Sequence, residues 1–145
     1  MDTASDTLIR TNLEFLRRHA PFDRMEAEAL RFLGERLVTA FYPAESEILT
    51  PEDGPPRFLY IVYRGKVQAR HVANVAVTEY STLTLGPGEG FPIGAISAER
   101  ASTNRYVALE DSYCLQLPAA DFLRLQEISP AFQIFRTPHI ASLVS

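Results

Sequence analysis

From Val38 to Leu117 apolar residues recur at every second position in short runs bounded by turn residues, and this pattern constrains the fold more than anything else in the chain. The runs are Val38 to Tyr42, Ser46 to Leu49, Arg57 to Arg64, Lys66 to Val72, Val75 to Leu85, Arg105 to Leu109 and Tyr113 to Leu117. Seven or eight short strands in succession predict a sandwich or barrel. Phe58 to Tyr63 is apolar on both faces, which predicts a central strand, and Arg64-Gly65-Lys66 supplies a hairpin turn into Val67, Ala69 and His71. Pro43, Pro51, Pro55 and Pro56 fall between runs, where a missing N–H costs least.

Helical spacing flanks this region. Ser5 or Asp6 can cap a helix to about His19 with Leu8, Ile9, Leu13, Phe15 and Leu16 as its apolar stripe, and Ala20-Pro21 ends it. Asp23 with Glu26 resembles a capping box for a second helix, Met25 to Leu37, completing a helical hairpin. After the strands, Pro118 can open a helix from Ala119 to Glu127, with Phe122, Leu125 and Ile128 facing a core. Ser129-Pro130 interrupts, Ala131 to Phe135 resumes, and Phe132, Ile134 and Phe135 are read as core, with a dimer or partner interface as the alternative. The apolar terminus from Pro138 to Val144 reads as the start of a helix that continues in a longer protein. The division is therefore residues 1–37, an N-terminal helical segment; 38–117, the β region with a loop at 86–104; and 118–145, C-terminal helices.

A chain of 145 residues is enough for one domain with a real core. Its formal net charge of -4 argues against nucleic acid as a partner. No apolar run approaches the ~20 residues of a membrane span, and the N-terminus lacks a secretory pattern, so no membrane partner and a cytoplasmic location are expected. Cys114 is alone and sits in a strand pattern. His19, His71 and His139 have no Cys or His companion at metal-ligand spacing, and no nucleophile elbow, Walker loop or His-Glu-x-x-His occurs, so neither a metal nor a catalytic residue is assigned.

The stretch that looks like a binding site is Leu85 to Ala108. Its Gly86-Pro87-Gly88-Glu89-Gly90 turn and the glycine and proline flanking Ile93 can expose backbone N–H groups to an anion such as a phosphate. A tight turn and bulge without ligand explains the same glycines. Arg100 and Arg105 are candidate phosphate or carboxylate partners and Ser102, Thr103 and Asn104 candidate donors, whereas Glu45, Glu47, Glu52 and Asp53 read as a solvated loop.

Three segments carry a family resemblance. Phe58 to Val67 resembles the strand-glycine-strand hairpin of cyclic nucleotide-binding domains, Leu85-Gly86-Pro87-Gly88-Glu89 resembles the glycine-rich start of their phosphate-binding cassette, and Ala108-Leu109-Glu110-Asp111 with Leu115 to Phe122 resembles their last strands and helix start. The resemblance runs from about Leu13 to Phe135 and implies a mainly β fold with flanking helices, a double-stranded β-helix jelly roll.

In that family a glutamate binds the ribose hydroxyl and an arginine the cyclic phosphate. The family's Phe-Gly-Glu-Leu-Ala falls here on Phe91, Pro92, Ile93, Gly94 and Ala95, so Ile93 replaces the glutamate, and Ser102 falls at the arginine position with Thr103 beside it. Arg100 lies two residues upstream, where an insertion in the strand would return it to the pocket. The Phe-Pro-Ile-Gly-Ala cassette resembles a branch found in bacterial signal-transduction proteins ahead of CBS-pair and nucleotidyltransferase-like domains, which would hold any catalysis.

The expectation is thus a non-enzymatic regulatory domain that does not bind cyclic AMP or cyclic GMP in the usual way. It takes a nucleotide or small anion through Gly88, Phe91, Pro92, Ile93, Gly94, Ala95, Arg100, Ser102, Thr103 and Arg105, or has an empty pocket. The alternative is a ligand-free interaction or homodimerisation module using the helices around Phe122 to Phe135.

Overall fold

The computed structural model describes residues 4–71 and 82–132, and within them eight strands form two four-stranded antiparallel sheets. One sheet has the order β1 (Val38–Tyr42), β8 (Ser112–Pro118), β3 (Phe58–Arg64), β6 (Gly90–Phe91); the other has β2 (Glu47–Leu49), β7 (Asn104–Ala108), β4 (Val67–His71), β5 (Thr82–Leu85). β3 lies between two neighbours, as its two-sided apolar sequence predicts. Of the expected run Val75 to Leu85, residues 75–81 lie outside the described residues and the remainder is β5.

The Arg64-Gly65-Lys66 turn does not make the expected hairpin. β3 pairs with β6 and β8, and β4 with β5 and β7, so the turn carries the chain from one sheet to the other. Apart from β4 and β5, which pair within one sheet, successive strands alternate between the sheets, as in a jelly roll, and strand patterns alone do not distinguish this from a ladder of hairpins. Gly65 has φ +105°, and a Cβ there would fall 2.2 Å from Ser112 Oγ, so glycine alone fits. Ser112 Oγ accepts the Lys66 N–H at 3.2 Å and donates to the Glu110 carbonyl at 2.7 Å, locking the two crossovers together.

Helices close one face of the roll. α1 (Ala4–Leu16) and α2 (Ala27–Arg36) form the expected hairpin, with a short 3-10 turn at Phe22–Arg24 between them. The capping box expected at Asp23 and Glu26 is not formed: Glu26 is the N-cap of α2 without a side-chain cap bond, and its carboxylate instead accepts from Ser129 Oγ at 3.0 Å. α4 (Ala119–Ile128) starts directly from β8, with Pro118 as both last strand residue and N-cap. Phe22, Phe122 and Phe132 are fully buried and meet ring to ring, Phe132 lying 6.2 Å from Phe22 and 5.5 Å from Phe122. Phe132 is therefore core, whereas Ile128, expected to face the core, is exposed because it lies on the solvent side of the last turn. Leu8 is likewise exposed at the start of α1. Ile134, Phe135 and His139 lie outside the described residues.

Candidate functional site

The segment expected to be a loop at 86–104 contains two elements, strand β6 and helix α3 (Ile93–Ala98). Ile93-Gly94-Ala95-Ile96 packs inward as one buried helical turn, and this burial overrides the turn-forming tendency of its glycine and proline. Pro92 is the N-cap, and the Arg100 N–H donates to the Ala95 carbonyl at 3.0 Å past a left-handed Glu99, closing the helix.

Before α3, the Gly86 to Gly90 turn is fastened to β3. Gly88 N–H donates to the Val62 carbonyl at 2.8 Å and Val62 N–H to the Glu89 carbonyl at 2.9 Å, while Gly86 N–H donates to the Glu89 carboxylate at 2.8 Å. The Gly88 donor expected to meet an anion is thus committed to the sheet.

Inside the roll the cassette begins in a stack of aromatic rings. Phe91 lies between Tyr60 at 5.2 Å and Tyr106 at 4.4 Å, nearly parallel to both, and joins one sheet to the other. Tyr42 and Phe58 continue the group edge-on against Tyr60 at 6.5 and 6.1 Å. Phe91 was a candidate from its motif position, but Tyr60 and Tyr106 were not; their signal was the inward register of Phe58, Tyr60 and Tyr106 on their strands.

The two positions that the resemblance assigns to the family's glutamate and arginine, Ile93 and Ser102, carry no charge. Ile93 is 2% exposed and packed in the core cluster. Ser102 is 3% exposed, its hydroxyl donating to the Asn104 carbonyl at 2.8 Å and accepting the Asn104 N–H at 3.0 Å. Asn104 in turn donates from Nδ2 to Tyr106 Oη at 3.4 Å and meets His71 Nδ1 through its carbonyl oxygen at 3.3 Å. Pro92, Gly94 and Ala95 are buried beside Phe91 and Ile93, and Thr103 is exposed.

Neither arginine lies in the interior. Arg100 is exposed, with Nη1 donating to the Ala101 carbonyl at 3.1 Å. Arg105 holds two carboxylates at the surface, Glu47 through Nη1 and Glu52 through Nη2 at 2.9 Å. The Glu52 carboxyl is held below its usual range by its own backbone N–H and then by Arg105. The acidic loop read as solvated is therefore partly an ion-pair network fastening β2 and the turn after it to β7.

Clefts open at other places among the described residues. One of about 640 Å³ lies between α1 and α2 among Asp6, Arg10, Arg31 and Glu35. Another, of about 220 Å³, is lined by Leu49, Asp53, Pro55, Pro56, Arg57, Phe58 and Tyr60, and a third, of about 270 Å³, by Leu8, Asn12, Thr39, Tyr63, Arg64 and Tyr113. Among the described residues no helix is long and apolar enough to cross a membrane, and no cluster of metal-ligating side chains is present.

The architecture is an antiparallel jelly roll capped by helices, with a short helix between its sixth and seventh strands. Residues 40–129 match the cyclic nucleotide-binding domain family, and the chain belongs to it. These are regulatory, non-catalytic domains. Curated proteins give no sequence match.

Among solved structures, the chain is similar to the regulatory domain of Toxoplasma gondii PKA with cAMP, with a TM-score of 0.79 and 17% identity over 90% of this chain and 49% of that one. It is also similar to the sensor domain of the transcriptional regulator DNR from Pseudomonas aeruginosa, with a TM-score of 0.71 and 11% identity over 91% and 92% of the two chains. Thermus thermophilus Catabolite Activator Protein gives a TM-score of 0.64 and 26% identity over 81% of this chain and 54% of that one. The chain thus spans about half of the Toxoplasma and Thermus chains.

Proposed function

We propose that this chain is the sensory module of a bacterial signal-transduction protein and that its cassette does not hold cyclic AMP or cyclic GMP by the family's two polar anchors. The observation that carries the reading is the pair Ile93 and Ser102. A buried isoleucine offers nothing to a ribose hydroxyl, and a serine engaged with its neighbour's backbone offers no charge to a phosphate. The Tyr60, Phe91 and Tyr106 rings occupying the interior support the same reading.

The remaining polar groups of the segment, Arg100 and Thr103, are exposed and leave room for a different nucleotide or small anion at the surface. In this reading a ligand there acts by binding one arrangement of the C-terminal helices better than another, and so biases CBS and nucleotidyltransferase-like domains downstream. Titration of cyclic AMP and cyclic GMP by calorimetry tests the proposal. Affinity no tighter than high micromolar is expected for both, and nanomolar binding of either contradicts it. If Arg100 binds the anion, Arg100→Ala abolishes that binding with little change in thermal stability; unchanged affinity removes it from the site.

A further inference from the structure

The two sheets end in four edge strands, β1 and β6 on one and β2 and β5 on the other. An exposed edge is a row of unpaired backbone donors and acceptors, and proteins blunt it with charge, proline, a bulge or shortness. β6 has two residues, β2 has three with a register shift and Glu47, and β5 exposes no large apolar side chain. β1 is not blunted. Val38-Thr39-Ala40-Phe41-Tyr42 runs five residues without charge or proline, in unbroken register with β8, its sole strand partner among the described residues. Apolar surface gathers at the same edge. Of the five large apolar side chains exposed among the described residues, Val38 (59%) and Phe41 (49%) are on β1 itself. The Tyr113 ring, also exposed, lies 5.0 Å from that of Phe41, and Leu8 lines the cleft that Thr39 and Tyr113 line.

The residues of the strand select its partner. Antiparallel pairing of β1 with the β1 of a second copy, centred on Ala40, sets Val38 opposite Tyr42 and Thr39 opposite Phe41, with the smallest residue on the two-fold axis. Each β-branched residue thereby meets an aromatic one, a favourable cross-strand pair. No like charges meet on this strand, in a chain whose formal net charge of -4 opposes self-association elsewhere on its surface. Phe41 and Tyr113, each near half exposure, offer about 100 Å² apiece, and with Val38 and Leu8 the edge provides about 400 Å² of apolar surface. This is half of the ~800 Å² that each partner gives a standard interface, which sets the dimer in the weak, concentration-dependent class. We infer that β1 is a self-association edge, at which two copies of this chain pair antiparallel and join their four-stranded sheets into one. No cassette residue takes part, so the inference is independent of the cassette reading above.

The test is sedimentation equilibrium of the full chain from micromolar to millimolar concentration, where a reversible monomer–dimer equilibrium is expected. Two double variants at exposed positions of β1 separate the register from the loss of the Phe41 ring, which both share. Thr39→Lys with Phe41→Lys sets like charges opposite one another across the two-fold axis, whereas Thr39→Lys with Phe41→Glu sets opposite charges there. The second should dimerise about tenfold more tightly than the first, with both unfolding as cooperatively as the parent chain. Ile128→Lys, at the exposed end of α4, should leave the dimer constant unchanged. A monomer at every concentration, equal dimerisation of the two double variants, or loss of the dimer in Ile128→Lys overturns the inference.

Discussion

The ring of His19, just past the end of α1, occupies the space in which a side chain at Gly88 would begin: a Cβ there would fall 2.3 Å from His19 Nδ1. The N-terminal helical hairpin thus rests directly on the turn that leads into the cassette. His19 is held in turn by Phe15, whose ring lies 4.7 Å away and equally close to Tyr63 of β3.

Gly88→Ala should therefore be among the more damaging single-methyl changes in the protein. It forces an alanine to φ +90°, which costs about 1–2 kcal/mol, and displaces His19. Denaturant unfolding should show the loss, and His19→Ala in the Gly88→Ala background should recover part of it. No recovery in the double variant means that the backbone term alone is responsible.

Phe91→Ala removes the central ring of the stack and leaves a void between the sheets. Truncations of buried phenylalanine cost about 3–5 kcal/mol, and Phe91 is fully buried with a ring on each face. A loss below about 1 kcal/mol in chemical denaturation would show that the interior collapses around the gap.

Cys114 supplies an alkaline signature. Burial pushes its thiol up to about 12 from 9.0, so the folded state keeps its proton while the unfolded state loses it. Its contribution is complete below pH 9 and declines as pH rises toward 12, because the unfolded state binds fewer protons across that window. Stability measured from pH 8 upward should fall less steeply in Cys114→Ala, and the native thiol should resist alkylation that the urea-unfolded chain undergoes.

Arg105→Ala breaks the pairs to Glu47 and Glu52 at the surface. The loss in thermal stability should be small compared with Phe91→Ala and should shrink as salt is raised, since exposed ion pairs are screened. A salt-independent loss would instead assign Arg105 a packing role.

The outline of the fold was legible because period-two runs and helical stripes are local properties. Val38–Tyr42, Phe58–Arg64 and Ala119–Ile128 lie at or within a residue or two of where their patterns put them. Which sheet each strand joins is a long-range property, so Gly65 read as a hairpin turn although it is a crossover. α3 was hidden for another reason: Ile93 and Ile96 need a core to turn inward against, and glycine and proline beside them dominate a local reading. At the cassette the residue identities at 93 and 102 could be read directly. That Arg105 is taken by Glu47 and Glu52 depends on partners 58 and 53 residues away. Tyr60 drew attention only as a strand residue, since nothing local shows that its ring stacks on Phe91.

The junction at Pro118 leaves no slack: β8 ends and α4 begins on the same residue, and Ala119 N–H is tied to the Arg57 carbonyl at 2.8 Å. Mechanically, α4 is an arm mounted on the sheet without a hinge loop. Ten residues make it about 15 Å long, so a rotation of about 10° at its root would carry its tip about 2.6 Å. A displacement at β3 or β8 too small to disturb the roll would be magnified at the far end of that arm, where Ser129 grips Glu26.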